Sequence, residues 1–265
     1  MKRLIFTLLY AEKHFFLSRN FRLQKVGDID WLFQNYDFIN LTNYIDELII
    51  LNISKKKIES DFLKAIKNIS KKTFIPIGTG GGIEKLEDVQ KLLDSGSDKI
   101  VINNMFFERP KFCENIASKF GKQFLIGSID YSYHNNQIFI HQEKRNKKFK
   151  KNLNSWIDFL SNNGAGEVIL QSIDRDGTGF GLHKEILQKI NKKKFPIILM
   201  GGVGKFKHIE EGFSLKNCDA ISTANLFNFI GNEFADVRNK LEKKFNLPKK
   251  GKNNIKLLKN FFNYG

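Results

Sequence analysis

An internal repeat limits how this chain can fold more than any other feature of it. Pro76-Ile77-Gly78-Thr79-Gly80-Gly81-Gly82-Ile83 returns 120 residues later as Pro196-Ile197-Ile198-Leu199-Met200-Gly201-Gly202-Val203. Asp98-Lys99-Ile100 returns as Asp219-Ala220-Ile221, and Asn104-Met105-Phe106 as Asn225-Leu226-Phe227, each 121 residues on. Between these marks, short Ile/Leu/Val/Phe runs alternate with segments of helical period, the pattern of βα units on a parallel sheet. Strands are predicted at 4–9, 47–52, 74–79, 99–103, 124–130, 167–172, 196–200 and 220–223. Helices are predicted at 58–70, 86–95, 110–120, 153–163, 184–190, 206–215 and 233–245. Eight units in two similar halves point to a single (β/α)8 TIM barrel over residues 1–248, followed by a basic tail, 249–265. Periodicity alone also allows a doubly wound open sheet, which uses the same local units.

In each half the third strand ends in a double glycine and the fourth ends in Asn before a helix. Backbone N–H groups and a helix N-terminus can cradle an anion there. Two cradles on one face suggest a substrate with a phosphate at each end. The sixth strand leads into Ser172-Ile173-Asp174-Arg175-Asp176-Gly177-Thr178-Gly179, an apolar run that opens into carboxylates, hydroxyls and glycines. If the strand continues, Asp174 and Asp176 face the same way. Asp130 closes the fifth strand, and the corresponding residue of the first half is Leu9, which is no acid. An acid at the C-terminal end of a barrel strand reads as functional, so Asp130 and Asp176 are the expected general acid/base pair.

Composition excludes more than it assigns. The formal charge is +16 over 265 residues, but it is dispersed, and the densest run, Lys144 to Lys151, lacks an aromatic ladder. That run is expected to be a solvated loop rather than a polyanion site. A polyanion-binding barrel, with 249–259 as a basic arm, is the non-enzymatic alternative. Cys113 and Cys218 have no partner at ligand or disulfide spacing, and the five histidines show no metal or catalytic spacing, so no metal and no cofactor is expected. The first apolar run, 4–10, is too short for a signal segment or a membrane span, so the expected setting is cytoplasmic, away from membranes.

Taken together, the stretches around Pro76–Ile83, Asp98–Asn103, Ser128–Asp130, Gly164–Glu167, Ser172–Thr178 and Gly201–Gly204 resemble, in order and spacing, the cyclase subunit of imidazole glycerol phosphate synthase. The resemblance runs from about Arg3 to Pro248. It implies a barrel that docks a glutaminase subunit on its bottom face as a heterodimer and passes ammonia along its axis. At the top face, ammonia converts a bis-phosphorylated aminoimidazole carboxamide ribulotide to imidazole glycerol phosphate and an aminoimidazole carboxamide ribotide. It further implies that Asp176 is a catalytic acid with Asp130 beside it. Gly81, Gly82, Asn103 and Asn104 then belong to one phosphate site, and Gly177, Gly201, Gly202, Ala224 and Asn225 to the other. Arg3, Glu47, Lys99 and Glu167 fall on the ammonia entrance, and Asp98 on the glutaminase-facing surface. Without the resemblance those four charges read as strand-start caps in water.

The departures are specific. The family's other catalytic acid is Leu9 here, its strand-two Asp is Asn52, a phosphate-site Ser is Asn225, and the first loop, 11–27, where the family keeps its lid, is rewritten. This combination is similar to a divergent branch found beside surface-polysaccharide genes, whose members resemble barrel partners that deliver ammonia to a sugar amidotransferase.

Overall fold

A computed structural model describes residues 1–36, 38–54, 57–142, 147–150, 152–191, 195–224 and 234–250. Among the described residues there are twelve strands: β1 Arg3–Ala11, β2 His14–Arg19, β3 Arg22–Gly27, β4 Glu47–Asn52, β5 Ile77–Gly80, β6 Lys99–Ile102, β7 Leu125–His134, β8 Gln137–Gln142, β9 Lys147–Lys150, β10 Glu167–Ser172, β11 Ile197–Met200 and β12 Ala220–Thr223. Eight of them close a parallel barrel in the order β1, β4, β5, β6, β7, β10, β11, β12, with β12 returning to β1. The expected TIM barrel is therefore the observed fold, and the open sheet is excluded by that last pairing.

Barrel strands are covered on both faces, so they need apolar residues on both. Inward-facing Ile5, Ile49, Val101, Ile126, Ile169, Ile198, Met200 and Ala220 fill the interior as one cluster. Outward-facing residues of the same strands, such as Leu4, Phe6, Leu48, Ile50, Val168 and Leu170, join the larger cluster beneath the helices. The helix Ser60–Ser70 shows the matching stripe, burying Phe62, Ala65, Ile66 and Ile69 while its lysines stay outside. Below the barrel, buried Arg238 of the helix Phe234–Lys244 holds Asp46 at 2.9 Å, and Asp46 also accepts the Leu4 N–H at 2.8 Å.

The repeat is visible as matched backbone devices. At the bottom, Asp98 accepts the Ile77 N–H at 2.8 Å and Asp219 accepts the Ile197 N–H at 2.9 Å. At the top, a Cβ on Gly81 would lie 1.9 Å from the Asn52 carbonyl oxygen, and one on Gly201 would lie 2.7 Å from that of Ser172. Both glycines also take positive φ, +90° and +99°.

Several boundaries differ from expectation. β5 begins at Ile77 rather than 74, because Phe74 is exposed and residues 73–76 are irregular, with a bend at Ile75. Two antiparallel additions were not anticipated: the hairpin β2–β3 grows from the end of β1, and β8 and β9 grow from an extended β7. Helices at Ile29–Asn35, Phe38–Leu41 and Asn104–Glu108 are also additional. The basic run expected as a loop contains β9 over Lys147–Lys150, with 143–146 and 151 outside the described residues. Of the tail, 251–265 lies outside them as well.

Gly81 and Gly121 share nearly the same φ, +90° and +92°, but a Cβ at Gly121 meets nothing within 4 Å. Gly121→Ala should therefore cost only the backbone strain, about 1–3 kcal/mol. Gly81→Ala adds overlap with the Asn52 carbonyl and should cost visibly more. Urea unfolding of the two variants measures the difference, and equal losses would contradict this account.

Candidate functional site

The bottom mouth of the barrel is a closed ring of four charges. Arg3, Glu47, Lys99 and Glu167 stand at or next to the starts of four strands, on the inward side of the pleat. Arg3 bonds Glu47, and it reaches Glu167 through Nη2 at 2.8 Å. Lys99 Nζ lies 3.2 Å from Glu47 and 2.9 Å from Glu167. Each cation thus touches both anions, the ring has no net charge, and the four side chains are only 8–18% exposed. The reading of these residues as separate water-facing caps does not hold: they form one buried network. Burial raises the Glu167 carboxyl, but the hydrogen bond and charge of Arg3, followed by Lys99, outweigh it and hold the group below the ordinary glutamate value. A buried ion-pair network is weak evidence of stabilisation, since removing charges from water offsets their attraction. Asp98 sits on the same face, exposed, with one carboxylate oxygen committed to the Ile77 N–H.

The top mouth is uneven. Alternation from the interior cluster places Leu9, Leu51, Gly80, Asn103, Asp130, Gln171 and Met200 inward at this end. Asn103 follows β6 and donates through Nδ2 to Asp130 Oδ2 at 2.8 Å. Gln171 is the register partner of Asp130 on β10, and His141 is its partner on β8. The Ser132 hydroxyl and His141 Nε2 are 2.7 Å apart. Opposite this polar side, Leu9 is buried and paired with Leu51 and Phe16. Leu9, at the position where the resemblance implies an acid, thus lies in an apolar patch. Glu12, the acid nearest to it in sequence, stands exposed in the β1–β2 turn, in a small crevice with Tyr10, Asn52 and Asp61.

Asp174 and Asp176 do not face the same way, because β10 ends at Ser172 and residues 173–178 turn. Asp174 accepts the Tyr133 N–H at 2.6 Å and lies 3.4 Å from His134 Nε2. Asp176 turns toward the first loop, where its Oδ2 accepts the Ser18 hydroxyl at 2.5 Å and the Phe21 N–H at 3.1 Å. The β2–β3 turn is held there from several sides: Asn20 N–H donates to the Asp176 carbonyl at 2.9 Å, and a Cβ on Gly177 would meet the Ser18 carbonyl at 2.0 Å. Burial raises the Asp176 carboxyl above the ordinary aspartate value, against the pull of the Ser18 and Phe21 donors. Asp130 and Asp176, expected as a pair, are thus engaged by different elements.

The glycines of the two expected phosphate sites all adopt the left-handed region, with φ of +90° at Gly81, +76° at Gly82, +64° at Gly177, +99° at Gly201 and +98° at Gly202. Asn104 opens the helix Asn104–Glu108, and half-buried Ala224 follows β12. Asn225 lies outside the described residues. Sequence reasoning did not reach Ser18, Phe21 or His141, because their partners lie on other elements. His183, one of the five histidines without metal or catalytic spacing, lies in a loop but is buried, with Nδ1 3.1 Å from the Ser172 hydroxyl. Among the described residues no group of three His, Cys, Asp or Glu could hold a metal, and no helix is long and apolar enough to cross a membrane.

The ring makes acid sensitivity predictable. A carboxyl depressed by folding contributes stability above its unfolded pKa and loses it as pH falls through the folded value. From pH 7 to about 5 the Glu167 contribution should be flat, and below about pH 4.3 it should fall. Glu167→Gln should show a shallower loss in that acid window in urea titrations; slopes equal to the parent would show that Glu167 is not depressed.

Comparison with known proteins agrees with this geometry. The family model described as "Histidine biosynthesis protein" matches residues 27–230. A candidate imidazole glycerol phosphate synthase subunit hisF2 of Parasynechococcus marenigrum (strain WH8102) is 40% identical over 232 residues, covering 87% of this chain and 86% of that protein. A candidate subunit of the same name from Vibrio vulnificus (strain YJ016) is 32% identical over 185 residues, covering 69% and 68%. The imidazole glycerol phosphate synthase subunit HisF of Flavobacterium johnsoniae is 32% identical over 200 residues, covering 75% and 80%. The barrel and these matches together place the chain in the histidine biosynthesis protein family, among its HisF-like members.

Proposed function

We propose that this barrel is the ammonia-receiving partner of a glutaminase subunit, docked as a heterodimer through the bottom face that carries Asp98. Neutral ammonia enters at the Arg3–Glu47–Lys99–Glu167 ring and moves along the mainly apolar interior to the top mouth. The observation that carries this reading is the ring itself: it is charge-balanced, buried and closed across the barrel axis. Such a ring has no net field to attract ions, and a small neutral molecule crosses it without the desolvation cost that a cation pays. The acceptor of the nitrogen is held by a separate enzyme, and a sugar amidotransferase that builds amidino groups fits that role. Leu9 supports the separation, since a two-acid cyclisation lacks one of its groups, and removing such a group commonly lowers rate by about 10²–10⁴.

A second reading is a working cyclase acting on the bis-phosphorylated ribulotide. Its support is Asp130 in the mouth, Asp176 with a raised carboxyl, and the two glycine pairs that would let backbone N–H groups approach the phosphates. In that case Asp176 must exchange its Ser18 and Phe21 donors for substrate.

Mixing the protein with its glutaminase subunit tests both. The expected outcome is stimulated glutamine hydrolysis, loss of that coupling in Lys99→Met, and no loss of the ribulotide with either glutamine or ammonium salt. Leu9→Asp should then raise ribulotide turnover from background. Turnover by the parent protein that disappears in Asp130→Ala or Asp176→Ala would establish the cyclase instead, and absence of any glutaminase coupling would remove the ammonia reading.

A further inference from the structure

The chain leaves the barrel on its bottom face, and the exit is fastened there. The Lys2 backbone N–H donates to the Asn246 carbonyl at 2.8 Å, which ties the end of the chain beside β1. Buried Arg238, which holds Asp46, also donates to the Pro248 carbonyl. Lys250 Nζ donates to the Ile45 carbonyl and lies 3.7 Å from Asp46 Oδ1. Residues 246–250 therefore run from β1 to β4 along the rim of the bottom mouth. They end against Asp46, the residue before Glu47 of the charge ring.

The sequence that continues from this point, 251–265, holds three lysines and no acid. At helical spacing Lys252, Lys256 and Lys259 share one side, while Ile255, Leu258 and Phe262 stand at i, i+3 and i+7 on another, flanked by Leu257, Phe261 and Tyr264. The rim around the exit has the same character. Met1 is 70% exposed, and Phe74, just before β5 and thus next to β4, is 61% exposed. Lys71 and Lys72 are exposed beside Phe74, and the acid of this sector, Asp46, is buried. Apolar anchors at that spacing among unbalanced lysines fit a groove with apolar walls and acidic edges. We infer that residues 251–265, with the adjoining rim of Met1 and Phe74, form an interaction surface for the glutaminase subunit, whose acidic side chains edge a groove for Ile255, Leu258 and Phe262. The inference rests on the reading that the glutaminase docks at the bottom face. An anionic bilayer also attracts a basic, apolar segment. With the exit pinned at the rim, however, lipid would cover the mouth and shut the glutaminase out.

Titration of a fluorescently labelled glutaminase subunit with the full-length barrel protein, read by anisotropy, tests it. The double variant Leu258→Glu/Phe262→Glu should bind at least about tenfold more weakly than the parent, and Phe74→Ser should show a smaller loss. Glutamine hydrolysis at saturating barrel protein should be unchanged in both. Lys256→Gln/Lys259→Gln should bind with a shallower dependence on salt. Carbodiimide treatment of the unsubstituted complex should join a lysine of 251–265 to a glutaminase carboxylate, a readout that needs no variant to fold. Parent-like affinity of the double variant, or a complex without such cross-links, would overturn the inference and leave the proposed function standing. Absence of any complex with the parent protein would remove both. Phosphatidylserine vesicles give the third comparison: vesicle binding lost in the double variant, with glutaminase affinity unchanged, would assign the segment to lipid instead.

Discussion

The interior of a closed parallel barrel has no strand edge and room for little besides side chains, so any polar group placed there must be satisfied by other groups on neighbouring strands. This constraint explains where chemistry appears along the axis. The middle layers are mainly Ile, Val and Ala, where the hydroxyls of Thr7 and Ser222 satisfy each other, and charge is confined to the two mouths. At the bottom the requirement is met in full by four residues from β1, β4, β6 and β10, each anion bonded to both cations. At the top it is met in part: Asp130 has Asn103, while Asn103 itself keeps an unsatisfied oxygen. The bottom network is closed on itself, whereas the top one leaves a buried acceptor without a partner among the described residues.

The first loop carries the largest change of role. An acid at position 9 would project into the mouth, but Leu9 extends the apolar contact with Leu51 and Phe16 and continues β1 into the hairpin. The hairpin then reaches across to the loop after β10, where Ser18 and Phe21 engage the Asp176 carboxylate. One segment therefore presents a leucine at its root and binds a carboxylate at its tip. Both effects follow from strand pairing at 9–11 with 14–16, which fixes the direction of the hairpin.

Legibility in the sequence tracked the kind of interaction involved. β4, β10 and β12 match their predicted bounds, since a strand buried on both faces is an unbroken apolar run between turn residues. The β2–β3 hairpin was hidden because its turns place Glu12, Lys13, Asn20 and Phe21 at positive φ, with no glycine to mark them. The turn joining β7 to β8 uses Asn135 and Asn136, both at positive φ, so that signal was present and went unread. From spacing alone the ring residues were visible only as isolated strand-start charges, and it was the resemblance that grouped them. Contacts spanning 44, 52, 68 and 164 positions are made by closure of the barrel and have no local trace. The same holds for Ser18 and Asp176, 158 positions apart.

The two halves of the repeat differ in a way that separates scaffold from chemistry. Asp98 and Asp219 keep the same cap on the same backbone N–H, and Gly81 and Gly201 keep the same close approach to a strand-end carbonyl. Each of these positions is fixed by the backbone, so a change in either half costs stability wherever the active chemistry lies. Leu9 and Asp130 are also equivalent by the repeat, and there the halves have parted completely. Nothing in the backbone requires a carboxylate at the end of a strand, so that position is free to follow function. In one half that position holds Asp130 with its amide partner Asn103, and in the other a buried leucine, so the two sides of the mouth differ in chemistry while sharing one scaffold.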